Sequence, residues 1–241
     1  MVDIESGVSI EPAARRASLR PAIGIWLLGC LLVGVGCFVL IGKRLVRSED
    51  PLLAAVWWQL SFAVALAVIL AAIVRIQSRR GETLSAIGWR KSTSKLWFGA
   101  GVMLGVLYAM GVYAGIHESP AMKGVNPFEL HWVRFVLIPV GVFMAAAEEI
   151  MMRGFFMTEL QRAGVGTGWQ IVFSGLASAA YHSFHNPSLI GFIPSFVLFS
   201  MHAALYVLAG RSLTPTVVAH SLYHVLCAPY LLMFAMTQMP G

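Results

Sequence analysis

The chain has 241 residues, 58% of them hydrophobic and 12% charged, with a mean hydropathy of +0.77. Soluble domains are about 25% charged, so this composition excludes a water-soluble globule and a disordered tail. The net charge of +6 does not point to nucleic acid, because the densest basic stretch (Arg75, Arg79, Arg80, Arg90, Lys91 and Lys95) lies between two apolar runs, where such residues report membrane orientation and contact with anionic lipid.

Residues 1–20 are polar and mixed in charge and read as a loose cytoplasmic tail; 21–241 read as a single transmembrane domain. The first predicted span is Pro21–Ile41, retained because no small-x-small cleavage site precedes Lys43 and Arg44. Pro51–Val74 follows, then an interfacial segment, 75–95, with Trp89 at headgroup level. Leu96–Ile116 is the third span, and His117–Leu130 is a turn-rich connection around Pro120, Gly124 and Pro127. His131–Leu160 is a long apolar segment interrupted by Glu148, Glu149 and Arg153; a turn, Gln161–Thr167, leads to Gly168–His185, Ile190–Ala209 and Leu213–Met236. The expected fold class is all-α: a polytopic membrane helix bundle of about seven transmembrane helices, or eight if one is re-entrant or interfacial. Its catalytic core is expected at about 131–230. With the N-terminus inside, twelve of the 17 Lys and Arg fall on the cytoplasmic side, as the positive-inside rule requires. Cys30, Cys37 and Cys227 sit in apolar runs without a CxxC pair and read as small packing residues.

Charged side chains inside a bilayer cost about 2.5–3.5 kcal/mol on insertion scales, so adjacent glutamates in Ala147-Glu148-Glu149-Ile150 require a reason. Neighbours on a helix point about 100° apart, so the two carboxylates serve different directions. Arg153 stands four residues after Glu149, the spacing of a local ion pair, which leaves Glu148 free to act. The plain alternative is a helix reaching the interface, with solvated glutamates and a snorkelling Arg153.

Histidines weigh against that alternative. Counted from the assumed cytoplasmic helix ends, Glu148 lies 12 residues in, His182 14, His220 8 and His224 12, a spread of roughly 9 Å along the membrane normal. His185, at 17 residues, comes out deeper. His117, His131 and His202 read as satisfied core residues. A carboxylate in a low-dielectric cavity is suited to take a proton from water, a histidine to orient that water, and two more polar groups to stabilise an oxyanion. Amide hydrolysis without a covalent intermediate follows as the expected chemistry. No Gly-x-Ser-x-Gly elbow and no His-Glu-x-x-His occurs, while a metal held by Glu148, His182, His220 and His224 remains chemically reasonable.

The order Glu148-Glu149-Ile150-Met151-Met152-Arg153, then a Ser-rich apolar helix ending in His, then His220-x-x-x-His224 resembles the CAAX protease and bacteriocin-processing (CPBP) family. That family includes the type II CAAX prenyl endopeptidase and is described as intramembrane glutamate proteases. The resemblance covers about Phe143 to His224. It implies Glu148 as the glutamate that activates water, His182 as its partner, Glu149 and Arg153 as the supporting pair, and His220 and His224 at the oxyanion-stabilising positions. Two departures stand out. Ser178 occupies the place of the usual Phe four residues before His182, whereas Tyr181 precedes His185 by four; His182 is preferred because Ser174 then falls eight residues upstream. The last position is often Asn, here His224. The resemblance further implies no cofactor and no bound metal, a membrane-anchored or lipidated protein or peptide as substrate, and residence as a multi-pass protein of the bacterial cytoplasmic membrane. Some members of the family are non-proteolytic scaffolds, and a catalytically silent interaction protein is the competing reading. A transporter or proton relay is a third, disfavoured by the scarcity of polar residues toward the outer side.

Overall fold

A computed structural model describes residues 12–42, 50–90, 94–117, 126, 131–184 and 189–227, and among these all regular structure is helical. Helix α1 covers Pro12–Gly29 and continues as a π-wound stretch, Cys30–Gly42. Residues 12–20 of the segment read as a loose tail are helical, and residues 1–11 of it lie outside the described residues. Proline suits the first turn of a helix, and Ala13, Ala14, Arg15, Arg16 and Ala17 are good helix formers.

Helix α2 (Pro51–Arg79) is launched by Asp50, whose carboxylate accepts the amides of Leu52 and Leu53 at 3.0 Å, with Pro51 at the first helical position. A short 3₁₀ turn, Leu84–Ile87, lies in the expected interfacial segment, with Ile87 buried and Trp89 exposed. Helix α3 is Lys95–His117. Helix α4 runs through Trp132–Arg162, α-wound to Glu149, π-wound over Ile150–Phe156 and α-wound again from Met157. Helices α5 (Thr167–His182), α6 (Leu189–Leu208) and α7 (Thr214–Cys227) complete the described bundle. His131 is the N-cap of α4 and accepts the Val133 amide at 3.3 Å, so it serves a helix end rather than the core.

Five described helices are long and apolar enough to cross a membrane: α1, α2, α3, α4 and α6. Helices α5 and α7 have 16 and 14 described residues, short of the roughly 17–25 that a span needs. The predicted span to His185 ends at His182 instead. Asn186-Pro187 follows closely, and a residue before proline disfavours helical backbone. The predicted continuation of α7 to Met236 lies outside the described residues.

Close approach of backbones builds the face on which the site rests. Helix α3 carries Gly101 and Gly105 against α7: a Cβ on Gly105 would stand 2.5 Å from the Ala219 carbonyl oxygen, and one on Gly101 would overlap that of Pro215. Small residues at this spacing let helices pack tightly in lipid, where apolar burial gives little drive. Exposed apolar side chains such as Leu96, Met103 and Leu107 project from the opposite side of α3.

The ends of α2 and α4 are tied by a charge network. Arg80 forks onto Glu159 at 2.6 and 3.0 Å, Arg162 reaches Glu159 at 2.8 Å and both oxygens of Glu82 at 2.6 Å, and Gln77 donates to Glu82 at 3.0 Å. Nearby, Arg211 donates to Gln170 at 2.5 Å, joining the end of α6 to the start of α5. These basic groups therefore gather at one end of the bundle. Arg153, by contrast, is buried between helices.

Candidate active site

Helix α4 brings both glutamates into the interior. Glu148 is 5% exposed, Glu149 0% and Arg153 1%, which overturns the alternative of solvated glutamates at an interface. Directly after Glu149 the helix switches to π winding, a rare geometry that recurs at functional sites. Ser174 of α5 donates to the Met152 carbonyl within that stretch, at 3.4 Å.

Arg153 Nη1 stands 3.3 Å from Glu149 Oε1, the i,i+4 pair expected from spacing. Its Nη2 donates to the Phe199 carbonyl at 3.0 Å, and the guanidinium lies 5.1 Å over the Phe199 ring. Glu149 Oε1 also accepts from His220 Nδ1 at 3.1 Å. A carboxylate can only accept here, so Nδ1 of His220 carries a proton. Its other nitrogen, Nε2, faces Glu148 Oε2 at 3.8 Å, and His182 Nε2 approaches the same oxygen at 3.7 Å. The side chains form a buried series, Arg153–Glu149–His220–Glu148–His182, with His182 the most exposed member (29% of its side chain).

His224 contacts neither glutamate directly. Its ring stacks on His220 with centroids 5.2 Å apart, and its Cβ lies against α4 where Gly141 leaves room; a Cβ on Gly141 would come within 2.9 Å of it. His182 stacks on Phe199 at 4.6 Å with planes 12° apart. His185 lies outside the described residues.

Two contributors escaped the sequence reading. Tyr181 is buried, and its hydroxyl donates to Glu148 Oε1 at 3.2 Å. His202, read as a core residue, lies edge-on to the His220 ring at 5.9 Å. A polar tip on a buried aromatic and an ionisable group in an apolar span were the available signals. Among the described residues, no group of three or more His, Cys, Asp or Glu side chains is arranged to hold a metal ion.

A carboxylate flanked by two imidazole nitrogens and a phenol, with a second carboxylate held by an arginine, can take a proton, pass it on and stabilise a cationic imidazole. Residues 130–226 match a family described as Type II CAAX prenyl endopeptidase Rce1-like, which bears out the resemblance carried by the motifs. No curated protein and no solved structure matches the chain.

Proposed function

From the premise of an Rce1-like, CAAX-type protease domain at residues 130–226, we propose that this chain is an intramembrane endopeptidase acting on a membrane-associated or lipidated protein. The observation that carries the reading is the meeting of Glu148 with His182 and His220, at 3.7 and 3.8 Å, on three helices in the interior of an apolar bundle. Buried ionisable groups are costly in a membrane protein and mark function by default.

In this reaction Glu148 and His182 hold a water molecule against the scissile carbonyl carbon. Water oxygen bonds to that carbon while its proton passes to the Glu148 carboxylate. His220 acts here as the imidazolium, its Nδ1–H held by Glu149 and its Nε2–H donating to the oxyanion, and His224 assists from the next turn of α7. Arg153 pairs with Glu149 at 3.3 Å and balances its charge in this role. Collapse of the tetrahedral intermediate breaks the C–N bond, and the proton on Glu148 goes to the leaving nitrogen, giving a carboxylic acid and an amine. General-base help of this kind contributes about 10²–10⁴ in rate, and one oxyanion donor about 10²–10³.

The test compares membrane-protein termini in cells expressing wild type or Glu148→Ala at matched levels, by terminus-selective mass spectrometry. New termini beside an apolar segment, present only with Glu148, support the endopeptidase and identify its substrate. Identical termini, with the cellular phenotype kept in the variant, overturn it in favour of a non-catalytic scaffold.

A further inference from the structure

We propose that His202 of α6 is a positioning residue, holding the His220 imidazole in the plane that serves both glutamates; the proposal rests on the endopeptidase reading. His202 is 2% exposed. Its Nδ1 donates to the Leu198 carbonyl at 3.1 Å, one turn back on the same helix, which tethers the ring to α6 and makes Nδ1 its protonated nitrogen. The tethered ring meets His220 at 5.9 Å with planes 66° apart, an edge-to-face contact. On its other side it touches Phe199 at 6.2 Å, the ring that supports Arg153 and stacks on His182. Phe199 and His202, one turn apart on α6, therefore brace the two ends of the buried series, Arg153 and His182, and its middle, His220.

Packing alone does not account for a histidine here. Among the described residues its Nε2 has no hydrogen-bond partner, and neither have Arg153 Nε and Glu149 Oε2. A buried acceptor without a protein partner is unfavourable, and Phe or Leu would fill the space without one. The charged and titratable groups that face His202 are Glu149 and Arg153 from α4 and His220 from α7. With Nδ1 held on the Leu198 carbonyl and the ring edge set against His220, His202 fixes the orientation in which His220 Nδ1 meets Glu149.

The experiment follows the rate at which Glu148-dependent termini appear in isolated membranes containing the full chain, across the pH range around neutrality. His202→Phe keeps an aromatic ring and removes both nitrogens; His202→Asn keeps a donor for Leu198 and lacks Nε2; His202→Gln places an amide near the Nε2 position. Misplacing a reacting group by about 1 Å costs roughly 100-fold, so the Phe and Asn variants are expected to lose 10- to 100-fold in rate, with folded amount unchanged and a displaced pH profile. Gln recovers part of the loss. Wild-type rate and pH profile in either Phe or Asn overturns the proposal, as does a loss in all three that merely tracks the amount of folded protein. Termini that persist in Glu148→Ala overturn the endopeptidase reading and this proposal with it; termini that need Glu148 but not His202 overturn the role of His202 alone.

Discussion

The Tyr181 hydroxyl donates a 3.2 Å hydrogen bond to Glu148 Oε1, while Glu148 Oε2 faces the two histidines. The phenol thus occupies one oxygen and leaves the other for chemistry. Removing it with Tyr181→Phe keeps the ring that packs against Gly29 and frees Oε1 to rotate. Hydrogen bonds to charged groups contribute about 1.5–3 kcal/mol. The expected outcome is a loss of about tenfold or more in the rate of Glu148-dependent cleavage at unchanged protein level, measured in isolated membranes.

Glu149 and Arg153 neutralise each other at 0% and 1% exposure. Deleting one partner of a buried pair strands the other and costs about 3–5 kcal/mol, whereas replacing both with apolar residues is often close to neutral. Arg153→Met is therefore expected to lower thermal stability in detergent strongly, and the double variant Glu149→Leu/Arg153→Met to recover much of it. Neither is expected to cleave, because His220 loses its anchor in the double variant and its anchor's counter-ion in the single one. Equal stability of single and double variants would sink this account.

Gly141 permits α4 and α7 to touch at His224. A Cβ at this position would sit 2.9 Å from the His224 Cβ and 3.0 Å from its Cγ, so Gly141→Ala displaces the histidine-bearing turn. Overpacking of this kind costs about 1–3 kcal/mol, and the shift acts directly on the His220–His224 stack. Activity is expected to fall by 10-fold or more while the helices remain assembled, measured as cleavage rate beside a melting curve.

At the bundle end, the Arg162 hydrogen bond holds the Glu82 carboxyl below its usual titration range, with Arg80 and Gln77 adding to the effect against desolvation. Because Glu82 titrates lower when folded than when unfolded, its contribution is fully present above the ordinary glutamate pKa of about 4.3. It is lost as pH falls through the folded value. Acidification into that window is expected to loosen the contact between the ends of α2 and α4, read as faster amide exchange over residues 77–90. Glu82→Gln should remove the pH-dependent part and leave exchange there raised at all pH values.

The helical class and the order of the elements were legible in the chain because apolar run length is a local property. So was the i,i+4 pairing of Glu149 with Arg153, which needs no knowledge of other helices. The two ends that moved have local causes too: α1 begins at Pro12 within residues of high helix propensity, and α5 stops at His182 ahead of Asn186-Pro187. Depth counting grouped Glu148, His182, His220 and His224, yet it gave height along the membrane normal and nothing about direction. It could not tell that His220 would face both glutamates while His224 would stack behind it.

By itself, then, the sequence determined that this is a membrane helix bundle with a costly set of ionisable groups at one level, since desolvation penalises each such residue wherever its neighbours lie. Only the tertiary structure decided which atoms face one another. Tyr181 and His202 look like ordinary members of apolar helices until α5 and α6 are rotated against α4 and α7. Arg80, Glu82, Glu159 and Arg162 look like topology signals until two helix ends meet. Rotation about a helix axis is set by packing between helices, at Gly101, Gly105 and Gly141 above all, and that information is spread over residues far apart in the chain.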